Sequence, residues 1–397
     1  MPFRKVVFWI HLACGVAVGA VVLIMSVTGV LLTYQKQMTE WADRQYWVQP
    51  ELGDSRASFE ALLESAEAHD PEVDVSSVTY YSDPVAPVAA SLGRGRTVYL
   101  DPSTAEVRGE NTTAMRSFFS AVVGWHRWFN VSGEGRGNAR AVTGWSNLVF
   151  LFLVLSGLYL WVPRRWRWQH FKPILLLDPK ARGKARDFNW HHVFGFWMAV
   201  PLAVVVASAT VISFPWASDL AYRAAGDPPP ERRGGSRAPR QPPLQPSSGR
   251  GVGSEAVATE GGFVPLDRAL VDPLIESARG RVAGWRTMSV TVPDEADEEV
   301  RISIDRGWGG APQKRHTLTY DAASGRETAF SSYEDQSPGR RFRTYLRFAH
   351  TGEYYGLLGQ TLAGLASFAG VLLVWSGIAL AWRRLVRPLL KARPQRS

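Results

Sequence analysis

Residues 6–34 form an apolar run whose one readily ionised member, His11, stands just behind Arg4 and Lys5. A bilayer core takes about 20 apolar residues of helix, so a run of this length spans it with some tilt. Three further runs follow at 142–162, 190–216 and 357–382. Pro163 ends the second, Pro201 is expected to kink the third, and Gln360 is tolerable near an interface in the fourth. The apolar residues are thus gathered into four blocks, and the fold class expected is an α-helical four-span membrane bundle.

Net charge is +9, but much of it flanks the runs, so it marks topology and not nucleic-acid binding. Basic residues crowd the connection 163–189, where Asp178 and Asp187 are the only acids, and the tail 383–397 has no acid at all. Both segments and the N-terminus are therefore expected on the cytoplasmic side of the membrane. The long stretches 35–141 and 217–356 then lie outside. Cys14 is the single cysteine and lies inside the first run, so disulfides contribute nothing to the outer stretches. His11 occupies a place where a lipoprotein signal needs an apolar residue, so the first run is read as a retained helix.

The two long stretches follow one order. Ser58 is placed to cap an amphipathic helix over 58–69 carrying Phe59, Leu62, Leu63 and Ala66, and strands are expected at 73–81, 85–92 and 96–100. The second stretch offers a helix at 266–279 and strands at 286–292, 299–305 and 316–320. Asp321 follows Asp101 by 220 residues, as Ser376-Gly377 follow Ser156-Gly157, while His191-Gly195 follow His11-Gly15 by 180. A Pro/Gly/Arg-rich segment, 227–262, accounts for most of the difference and reads as a disordered insertion. The chain is thus an internal duplication with two outer α+β domains.

Ionisable residues within a membrane are costly and commonly functional. His11 and His191 open the first and third runs, and His126 and His350 precede the second and fourth. Symmetric neutral imidazoles facing one another across a bundle suit six-coordinate haem iron, so two b-type haems are expected, one near each membrane face. Gly15 and Gly195, one turn beyond His11 and His191, leave room beside the imidazole for a flat group. Arg127, Arg343 and Arg347 are placed to pair with haem propionates, and Phe118, Phe119, Trp125, Trp128, Tyr345, Phe348 and Tyr354 to wall the outer site. His192 rivals His191, whose spacing to Gly195 copies that of His11 to Gly15. No Cys-x-x-Cys-His, P-loop, dinucleotide fingerprint or serine-hydrolase elbow occurs. Electrons must therefore come from a separate donor, a cytoplasmic reductase or a quinol.

Residues 97–107 and 318–326 resemble the closing hairpin of PepSY domains. Together with Trp125-His126-Arg127-Trp128, the 191–197 segment and the 350–356 segment, they make the chain resemble the PepSY-associated transmembrane family of iron-regulated inner-membrane proteins. The resemblance covers nearly the whole chain. It implies a di-haem reductase of periplasmic ferric siderophores that releases Fe(II), with His11, His126, His191 and His350 as the membrane histidines. Two departures stand out: Ala105 replaces a usual glycine, and the 227–262 insertion is foreign to the pattern. Two other readings use the same residues. A transporter would use the histidines for metal or protons, and a regulatory module would hold a protease or another partner with no redox activity.

Overall fold

The computed structural model describes residues 3–49, 55–111, 113–163, 167–231, 268–292 and 299–391. Most of the 227–262 insertion lies outside them. The chain divides into two compact units, one of residues 1–35, 118–230 and 338–397, the other of 36–117 and 231–337.

The first unit is helical. Its long apolar helices are α1 (Phe3–Leu32), α5 (Gly135–Trp161) and α12 (Gly356–Lys391), each long and apolar enough to cross a membrane. α7 (Gly183–Trp197) and α8 (Ala199–Ser213) pass the same test together but are bent by 67°. The break falls at Met198, three residues before the expected kink-former, Pro201. Pro201 has no N–H to give the Trp197 carbonyl, and its ring crowds that turn, so it fits only the first turn of a new helix.

Helices α1 and α12 touch through small residues. A Cβ on Gly29 would meet Ser367 at 2.9 Å, one on Gly370 would meet Ser26 at 2.7 Å, and one on Gly364 would meet Thr33 at 2.7 Å. Without a hydrophobic drive between helices in lipid, close packing of this sort holds them together. Gln360, near the start of α12, is buried. The basic segments flanking the runs are helical as well: α12 continues through Arg383 and Arg387, and α6 (Trp168–Leu175) is tied to α7 by Asn189, whose Nδ2 donates to the carbonyls of Pro173 and Leu176. Between the long helices, α4 (Ala114–Trp128) precedes α5, α9 (Pro215–Ala224) continues α8, and α11 (Pro338–Thr351) precedes α12.

After α11 the chain turns at Gly352, whose φ is +75°. A Cβ there would lie 2.2 Å from the Gly359 carbonyl oxygen, a backbone atom that cannot step aside. Gly352→Ala is accordingly expected to cost about 2–4 kcal/mol, combining left-handed strain with overpacking. A drop in the detergent melting temperature of several degrees checks it, and an unchanged melt refutes it.

The second unit opens with α2 (Gln35–Asp43) and is built on one eight-stranded antiparallel sheet. Its strands are β1 (Val75–Tyr81), β2 (Val88–Leu92), β3 (Thr97–Leu100), β4 (Val107–Glu110), β5 (Thr287–Thr291), β6 (Glu299–Asp305), β7 (Arg315–Asp321) and β8 (Glu327–Ser332). Their order is β4-β3-β2-β1-β5-β6-β7-β8, two four-stranded meanders joined through their first strands. Helices α3 (Phe59–His69) and α10 (Val271–Arg281) supply the apolar counterface. Ser58 caps α3 by accepting from the Ala61 N–H, and Phe59, Leu62, Leu63 and Ala66 are buried as their spacing indicates.

Where the sequence suggests two α+β domains, the strands of both stretches make one sheet over one core. At the seam, Thr79 donates its hydroxyl to Ser289, and the Asp272 carboxylate accepts from the Phe59 N–H at 3.0 Å, so α10 helps cap α3. A four-stranded meander standing alone would expose β1 or β5 as an unpaired edge; pairing them removes that liability.

Asp101 and Asp321 organise matching turns, each carboxylate accepting from the N–H and hydroxyl of a serine, Ser103 or Ser324. Gly325 has φ +66°, and Ala105 at the same place has φ +60°. An alanine held there costs about 1 kcal/mol or more, partly offset by its buried methyl. Ala105→Gly is therefore expected to leave stability unchanged or raise it by up to about 1 kcal/mol, read as a shift in the urea midpoint. A loss greater than that would contradict the account.

Candidate functional site

Each of the four membrane histidines reaches a different helix with the same ring nitrogen. His11, on α1, places Nδ1 2.8 Å from Ser156 Oγ on α5. His191, on α7, places Nδ1 3.0 Å from Ser376 Oγ on α12. His126, near the end of α4, places Nδ1 2.9 Å from Thr28 Oγ1 on α1. His350, near the end of α11, places Nδ1 2.9 Å from the Val205 carbonyl oxygen on α8, with Ser208 Oγ at 3.5 Å.

The tautomers follow from these partners. A carbonyl only accepts, so His350 carries its proton on Nδ1. The hydroxyls of Ser156, Ser376 and Thr28 donate to carbonyls of their own helices, those of Leu153, Leu372 and Ile24. Their oxygens are then left to accept from His11, His191 and His126. All four rings therefore carry Nδ1–H and keep the Nε2 lone pair, the state in which imidazole binds metals.

Glycines bring three of the rings close. A Cβ on Gly157 would stand 3.4 Å from His11 Cε1, one on Gly377 would stand 3.3 Å from His191 Cε1, and one on Gly29 would stand 3.8 Å from His126 Cε1. Ser156-Gly157 and Ser376-Gly377, visible in sequence as repeat markers, are thus the seats of His11 and His191. Thr28 and Ser208 were not singled out by sequence reasoning. Their 180-residue spacing, equal to that of His11 and His191, is the signal that could have found them.

The rings of His126 and His350 have centroids 6.4 Å apart and planes inclined by 51°. Two imidazoles sharing a metal from opposite sides have centres roughly 6 Å apart, since each metal–nitrogen bond is about 2 Å. His126 and His350 fit bis-histidine haem ligation on both spacing and tautomer. His192 turns elsewhere: its Nδ1 lies 2.9 Å from the Phe188 carbonyl oxygen on its own helix, and its ring lies against the Phe188 ring. Among the described residues no cluster of three or more His, Cys, Asp or Glu suits a metal ion.

Of the two glycines read as room for a flat group, Gly15 faces open space, whereas a Cβ on Gly195 would touch Leu373 at 3.5 Å. Arg127 and Arg347 both act electrostatically on His350. Burial first, and then the guanidinium groups of Arg140, Arg347 and Arg136, push Arg127 down to about 10. Arg136 and Arg127 both approach the Trp128 ring, at 3.9 and 5.0 Å. Cations gathered in this way favour an anionic ligand. Arg343 gives its Nε–H to Ser218, and Tyr345 shares a 2.9 Å hydroxyl contact with Tyr355. Phe119 is buried, while Phe118 and Trp125 are about half exposed.

A set of long apolar helices carrying paired histidines, with a β-sheet unit between them in sequence, defines a membrane protein. Residues 8–384 match the family described as the PepSY-associated TM region, and the chain belongs to that family. Comparison with curated proteins returns no match.

Proposed function

We propose that the chain is a di-haem b electron-transfer protein of the bacterial inner membrane that reduces periplasmic ferric siderophores and so releases Fe(II). In this reading it crosses the membrane four times, with α7 and α8 making the third crossing. Both termini and 163–189 are cytoplasmic, and the duplicated PepSY-like stretches are periplasmic. The observation that carries the reading is the uniform state of the four histidines: each is tied at Nδ1 and keeps Nε2.

His11 and His191 would hold one haem, and His126 and His350 the other. Haem so bound supplies a one-electron Fe(III)/Fe(II) couple. The chain's own residues do the rest. Ser156, Ser376, Thr28 and the Val205 carbonyl fix the imidazoles in orientation and tautomer. The apolar helices keep water from the rings, and Arg127 and Arg347 offer positive charge to propionates and to an anionic chelate. The substrate yields its metal because hard oxygen ligands suited to Fe(III) hold Fe(II) less tightly. Electrons come from a cytoplasmic reductase or a quinol.

The test is a dithionite-reduced minus oxidised absorbance spectrum of the detergent-purified chain made with ample haem, with a pyridine haemochrome assay. A b-type spectrum near two haems per chain is expected. A colourless protein would overturn the reading and return the histidines to transport or to a purely structural part in a partner-binding module.

A further inference from the structure

A groove of about 600 Å3 runs along the last turns of the apolar part of α12, lined by Trp375, Ile378, Ala379, Trp382, Arg383 and Arg387. Its walls and its rim differ in kind. Trp375, Ile378 and Trp382 are each more than two-fifths exposed, large apolar side chains that a membrane helix turns toward acyl chains. At the basic end, Arg383 and Arg387 follow within two turns.

The local charge does not cancel. Asp187 on α7 is fully buried and takes ion pairs from Arg186 at 3.1 Å and Arg383 at 3.0 Å. Arg186 also lies over the Trp375 ring at 5.0 Å. One carboxylate thus stands against Arg186, Arg383 and Arg387, leaving an excess of two positive charges where the apolar wall ends. Asp187 consumes one edge of Arg383, and a guanidinium keeps further donors for a second anion. Arg387 is exposed and forms no ion pair among the described residues.

We propose that this groove holds an anionic phospholipid, its phosphate between Arg383 and Arg387 and its acyl chains along Trp375, Ile378, Ala379 and Trp382. An apolar wall continuous with a doubly positive rim matches an amphiphile with a charged head, and basic pockets at span ends are where acidic lipids are held. A free anion would use the rim and leave the wall unexplained. A neutral quinone would use the wall and leave two arginines without counter-charge. The inference needs no haem and stands or falls apart from the redox reading.

The experiment is native mass spectrometry of the full chain, titrated with phosphatidylglycerol or phosphatidylcholine of matched chains. Phosphatidylglycerol is expected to bind preferentially, and Arg387→Gln to weaken it about fivefold while Arg387→Lys retains most of it. Arg387 is chosen over Arg383 because its loss leaves the Asp187 pairs in place. Equal retention of the two lipids, or an Arg387→Gln variant that binds as the parent does, would overturn the proposal. So would displacement of the lipid by inorganic phosphate alone, which would mark a free-anion site, or by a neutral quinone analogue.

Discussion

In the proposed di-haem reading, His350→Ala is expected to lower haem content from two groups per chain to one and to abolish reduction of ferric chelate, while the remaining b-type spectrum persists. His350 makes a pair with His126 at 6.4 Å between ring centroids, and its Nδ1 is committed to the Val205 carbonyl. Truncation would remove one of the two residues that would hold the haem, without a nearby substitute, since His191 is held by Ser376 and His192 lies against Phe188. Losing a metal ligand of this kind would be the largest single effect expected in the bundle. His126→Ala is expected to do the same, because either ring alone leaves the pair incomplete. The measurement is the pyridine haemochrome ratio on purified protein. A variant retaining two haems and activity would remove His126 and His350 from the mechanism, and one that fails to fold is distinguished by its gel-filtration profile.

The second large effect is expected from the hydroxyls. Ser376→Ala removes the acceptor that fixes the His191 tautomer, and Ser156→Ala does so for His11. Loss of such a partner typically weakens metal binding about 10–100-fold, so both variants are expected to lose haem from His11 and His191 on dilution and to show a shifted midpoint potential. Ser208→Ala provides the contrast. Its hydroxyl stands 3.5 Å from His350, but the Val205 carbonyl at 2.9 Å carries that bond and survives the substitution. Haem retention and potential should stay at the parent values. If all three serine variants behave alike, the hydrogen bonds are structural and do not tune the histidines.

What the sequence by itself determined follows from short-range rules. Apolar runs, the Ser58 cap, the turns at Asp101 and Asp321, the break near Pro201 and the four histidines are each set by residues within a few positions of one another. Such features depend on local sterics, desolvation and backbone hydrogen bonding, which travel with the residues. The repeated order of the two stretches was legible for the same reason, and the meanders β1–β4 and β5–β8 follow it.

Tertiary structure decided what joins residues far apart. That β1 pairs with β5, making one sheet where two domains were expected, depends on matching two exposed edges more than 200 residues apart, and neither strand's alternation names its partner. Gln360 is buried, a fact its own neighbourhood does not encode. In sequence, His191 was preferred to His192 on spacing alone. The structure then set His191 against Ser376 and Gly377, as His11 is set against Ser156 and Gly157, and left His192 on its own helix. A histidine's tautomer is fixed by the atom it touches, and for His11, His126, His191 and His350 that atom comes from another helix. The reason is physical: local patterns fix which faces are apolar and where helices stop, whereas a hydrogen bond between spans exists only once the spans have packed.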